Sequence, residues 1–94
     1  MILSIETSTS NCSVALQTLH GALVALKERD EQHIHASMLF VFIGELMKEH
    51  SITDPELKAI AVSKGPGSYT GLRIGVSAAK GLCYSLGLPL ISVN

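Results

Sequence analysis

Tryptophan is absent from the sequence, aromatic residues make up 4% of it and charged residues only 16%. With a formal net charge of −1, the chain lacks the positive field by which a free-standing nucleic-acid binder gathers phosphates, so direct RNA binding is not expected. There are two cysteines, Cys12 and Cys83, far apart and without CxxC spacing. That excludes a disulfide framework or a zinc ribbon, and both read as small buried hydrophobes. No apolar run approaches the roughly 18 residues that a membrane span needs. No basic stretch precedes the apolar start at Met1 to Ile5, as a secretory leader would require. The expectation is a soluble cytoplasmic protein with no membrane association.

What is present is apolar. Such residues make up 47% of 94, a length that fits one small domain with a modest core. That is more apolar surface than a chain of this size can bury alone, so a partner is expected.

Residues 2–7, ILSIET, are largely β-branched and apolar and stop at a turn-forming cluster, Ser8 to Asn11. They predict a first strand. In NCSVALQT, Cys12, Val14 and Leu16 alternate with Ser13, Ala15 and Gln17, the period of a second strand hairpinned onto the first. A turn at His20-Gly21 leads to ALVALKERD, whose charged end suits an edge strand. The period then changes. From about residue 34 to 49, Leu39, Phe42, Ile43, Leu46 and Met47 share one helical face, with Phe40 extending the apolar arc and Val41 on the far side. KAIAVS, residues 58–63, reads as a buried parallel strand. Residues 72–86 read as a helix with Leu72, Val76, Ala79, Cys83 and Leu86 inward, ended by Gly87 and Pro89. Residues 88–93 form a last strand. The order β-β-β-α-β-α-β predicts an α/β fold with a mixed five-stranded sheet and right-handed helical crossovers.

Between that fourth strand and the second helix lies GPGSYTGLRIG. It resembles a phosphate cradle but lacks the lysine and spacing of a P-loop, and Thr70 stands where a dinucleotide fingerprint needs glycine. Two readings remain open. Gly65 and Gly67, with Ser68, could let backbone N–H groups meet an anion at the helix start. Alternatively the glycines permit a sharp turn and close packing of Gly71 and Gly75, with Ser68 and Thr70 as caps.

Other chemistries find little support. His33 and His35 stand two apart, without the HExxH spacing of a zincin or a third ligand nearby, and suit a solvated helix start. Ser68 and Thr70 lack a nucleophile elbow and an assignable His with its carboxylate. No catalytic residue, metal or cofactor is assigned. Arg73, Lys80 and Tyr84 lie on one side of the second helix, where solvation accounts for them.

A second seam on that helix is more informative. Ile74, Ala78, Gly81 and Ser85 recur in steps of four, three and four. Small residues so spaced let another helix approach, and an unrewarded glycine inside a helix costs about 1 kcal/mol relative to alanine. With Arg73 and Ser77 beside them and Phe40 or Val41 from the first helix, they define a predicted partner interface.

The segments ILSIETSTSNCSVAL and AVSKGPGSYTGLRIGVSAAKGLCYSLGLPLISVN resemble the N-terminal half of the TsaB (YeaZ) family of glycoprotease-like proteins, a likeness running through nearly all 94 residues. The resemblance implies an actin-like, ribonuclease-H-like lobe, with residues 1–94 a single N-terminal lobe and the family's second lobe absent. It implies a non-catalytic scaffold in making threonylcarbamoyladenosine in tRNA, binding the catalytic subunit TsaD, with the ATPase TsaE in the same complex. It also implies homodimerisation through the same helices when the chain is alone. The older family label is peptidase. The likeness to actin-type ATPases sets Thr7, Ser8, Thr9 and Ser10 where those proteins contact phosphate, adding Thr7 and Ser8 to the anion-loop candidates, and Glu6 where many relatives carry aspartate.

Overall fold

The computed structural model describes residues 1–7, 11–30, 36–63 and 69–93. Among these residues five strands and two helices follow one another in the expected order. Strand β1 spans Ile2–Glu6, β2 Asn11–Gln17, β3 Leu23–Asp30 and helix α1 Ala36–Glu49. A single 3-10 turn at Asp54–Glu56 leads into β4, Ala59–Ser63, then α2, Tyr69–Leu86, and β5, Leu90–Val93. The sheet order is β3-β2-β1-β4-β5. The first three strands are antiparallel neighbours, while β4 and β5 run parallel to β1, each reached through a helix as parallel neighbours require.

Register explains which side chains are buried. Leu3 pairs with Leu16 and Ile60, and Ile5 with Val14 and Val62, so these residues form rows on one sheet face. Both helices lie on that face: Leu39, Phe42, Ile43 and Leu46 of α1 and Ala78 and Ala79 of α2 share a buried cluster with those rows. Full burial of each leucine or isoleucine stabilises by roughly 1.5–3 kcal/mol. The opposite face carries Ser4, Ala15, Ala61 and Ile91, and no helix among the described residues lies on it.

The two helices end alike. In α1 the Ile52 N–H donates to the Met47 carbonyl at 2.8 Å while Ser51 takes φ 55°; in α2 the Leu88 N–H donates to the Cys83 carbonyl at 3.0 Å while Gly87 takes φ 68°. Both are Schellman caps, in which one left-handed residue lets the chain fold back and satisfy the last carbonyls. Gly87 is the residue expected there; Ser51 does the same against its steric preference.

Helix α2 begins at Tyr69 rather than Leu72. Thr70 therefore lies within the first turn and is not the cap it was taken for, because nothing in Tyr69-Thr70-Gly71 blocks helical dihedrals. Residues 34 and 35 of the expected first helix lie outside the described residues.

Candidate functional site

Ser8, Gly65, Gly67 and Ser68 of the anion-loop set, and His33 and His35, lie outside the described residues. Thr7 does not. It follows β1, the central strand, and is fully buried at 0% exposure, the one buried polar side chain among the described residues. Its hydroxyl sits against the backbone of Gly75 in the second turn of α2, where a Cβ on residue 75 would overlap Oγ1. Thr7 thus faces the underside of the helix. Spacing alone did not indicate this, although close packing at Gly75 was one of the two readings of the loop.

The predicted interface residues divide. Phe40 and Val41 of α1 are exposed, at 44% and 56%, and on α2 Arg73, Ser77, Gly81 and Ser85 also face outward. Gly44 and Gly81 open onto free space, with nothing within 4 Å of an added Cβ. Ser37, Met38, Val41, Phe42 and Glu45 line a shallow groove on α1 beside this surface.

Ala78 requires correction. It was assigned to an outer seam separate from the core, yet it is buried at 2% within this chain, and Ile74 is half-buried against the same core. The cause is that α2 packs on the sheet and on α1 at once, so its inward arc is wider than one sheet contact would give. Part of the small-residue seam serves packing within the chain, and its outward remainder is Gly81 and Ser85, flanked by the exposed Arg73 and Ser77.

Sequence reading missed the ionic link between β3 and α1. Lys27 Nζ lies 2.9 Å from Glu49 Oε1 and 3.1 Å from Glu45 Oε2, and hydrogen bonding to Glu49, then to Glu45, raises the lysine pKa. The signal was available: Lys27 ends the apolar part of an edge strand, and Glu45 and Glu49 stand one helical turn apart. Burial raises the pKa of the Cys83 thiol, which disfavours the reactive thiolate, and Cys12 is buried at 2%. Among the described residues, no three His, Cys, Asp or Glu side chains form a group able to hold a metal ion.

Strand order, the two crossovers and the helices on one face define an α/β lobe of the actin-like, ribonuclease-H-like class. Solved structures agree. "YeaZ from Pseudomonas aeruginosa" superposes with a TM-score of 0.86 at 32% identity, over 99% of this chain and 42% of that one. Residues 29–94 match the family model described as "TsaD: tRNA N6-adenosine threonylcarbamoyltransferase", and the chain belongs to this family. Curated relatives include the tRNA threonylcarbamoyladenosine biosynthesis protein TsaB of Haemophilus influenzae, 33% identical over 99% of this chain and 39% of the relative. The same protein of Escherichia coli (strain K12) is 34% identical over the same shares. The tRNA N6-adenosine threonylcarbamoyltransferase of Porphyromonas gingivalis is 36% identical over 95% of this chain and 26% of the relative. The chain spans about two fifths of the length of the TsaB relatives it matches.

Proposed function

We propose that the chain acts in making threonylcarbamoyladenosine in tRNA, as a non-catalytic docking lobe that binds the catalytic subunit TsaD through the outer faces of α1 and α2. The carrying observation is the exposure of Phe40 and Val41 beside Gly44 on a helix whose other face is fully committed to the core. A helix contact centred on such side chains, with a polar rim from Arg73, Ser77 and Ser85, has the anatomy of a protein interface. Gly81, open in front, leaves room for a close approach. The relatives named for tRNA threonylcarbamoyladenosine biosynthesis support the pathway, and the relative named as the transferase supports the choice of TsaD as partner. In the absence of TsaD the same surface pairs two copies of the chain, in the cytoplasm, and TsaE joins only through the complex.

Titrating the chain with its cognate TsaD and reading the mass of the mixture tests this. Formation of a complex that Val41→Glu abolishes supports the docking surface, whereas a complex indifferent to that change rejects it. The relatives named as transferases favour a second reading, in which the lobe belongs to a transferase itself. Threonylcarbamoyl transfer by the chain without TsaD would establish that reading instead.

A further inference from the structure

We propose that Thr7 and Gly75 form a steric lock that fixes the position of α2 along the sheet and so places its outer face for docking; the last step rests on the docking reading, the lock itself does not. Among the described residues of α2, the buried ones, Gly75, Ala78 and Ala79, are small. Its larger inward side chains, Ile74, Val76, Leu82, Cys83 and Leu86, are only partly buried against the core, so the centre of the contact carries no large projection to hold the helix against sliding or rotation. Thr7 supplies one from the strand side, at the end of the central strand. Around the point where a residue-75 side chain would begin stand all three outer atoms of Thr7: Oγ1 overlapping it, Cβ at 3.4 Å and Cγ2 at 3.5 Å. Thr7 is fully buried, so a rotation about its Cα–Cβ bond has no free space to turn into. Glycine at 75 is therefore required by Thr7, and a methyl group there must lift α2 from the strand.

The test is a double-mutant series in the whole chain, read by urea midpoint and by affinity for cognate TsaD. Gly75→Ala is expected to lower the midpoint and weaken TsaD binding at least tenfold. Adding Thr7→Ala should recover more than half of the lost midpoint, since Cβ at 3.4 Å from the new methyl is ordinary contact. Thr7→Val should recover nothing, because a methyl group replaces the hydroxyl in the same space. Thr7→Ser, the milder change if Thr7→Ala unfolds the chain, should recover part, as the smaller side chain can swing into the room left by Cγ2. A neutral Gly75→Ala, additive effects of Gly75→Ala and Thr7→Ala, or equal rescue by valine and alanine would each overturn the lock. If wild-type chain does not bind TsaD, the docking reading fails while the urea series still decides the lock.

Discussion

Replacing Ser51 with glycine and Gly87 with alanine perturbs the same kind of helix cap in opposite directions. Ser51 holds φ 55° and Gly87 φ 68°, each as the left-handed residue that turns the chain back after its helix. Holding an L residue there costs about 1–2 kcal/mol through the clash of Cβ with the following carbonyl. Glycine removes that cost but adds about 0.4–1 kcal/mol of unfolded-chain entropy to be lost on folding. Ser51→Gly should therefore stabilise by roughly 0.5–1 kcal/mol, and Gly87→Ala should destabilise by a similar amount, since an added Cβ at 87 meets nothing within 4 Å and only the dihedral matters. For a domain of this size 1 kcal/mol moves Tm by about 4–8 °C, so thermal unfolding followed by circular dichroism resolves both changes. A Tm for Ser51→Gly at or below that of the wild type would refute the cap at residue 51, and with it the reasoning from dihedral to stability.

Three further outcomes follow from the packing and the ionic link. Leu46→Ala, at a side chain 1% exposed between α1 and the sheet, should cost about 2–5 kcal/mol in a urea titration. Lys27 has its pKa raised above 10.5 by Glu49 and Glu45, so its folded state binds the proton more tightly than the unfolded one. The stability this lends is fully present below the unfolded pKa and is lost as pH rises through the folded value; Lys27→Met should remove that alkaline decline and lower stability at neutral pH, as read by urea midpoints at neutral and alkaline pH. Gly81→Glu should preserve the circular dichroism spectrum, because the position opens to free space, while it abolishes association with TsaD.

Much of the architecture was legible because its periodicities are clean. Cys12, Val14 and Leu16 alternate inward in β2, and Leu39, Phe42, Ile43 and Leu46 recur at helical spacing, so local pattern and tertiary burial agree. The inner face of α2 was less legible, since helical spacing gives a circle and only the simultaneous contact with α1 and the sheet decides how wide the buried arc becomes. Ala78 fell on the wrong side for that reason, and its small size made it equally compatible with either. Gly87 announced its cap by residue type, whereas Ser51 did not, because the left-handed conformation there is imposed by the backbone hydrogen bond to Met47. Thr7 was not legible either as a contact of α2. Its burial follows from the approach of Gly75, a contact between residues 68 positions apart that no local pattern encodes.

The central claim, docking through the outer helical faces, is tested most directly by light scattering on the chain across a concentration series, alone and with cognate TsaD. The account predicts a self-associated species that gives way to a complex with TsaD, and loss of both in Val41→Glu and Gly81→Glu. A chain that stays monomeric and ignores TsaD, or variants that associate as the wild type does, would contradict it.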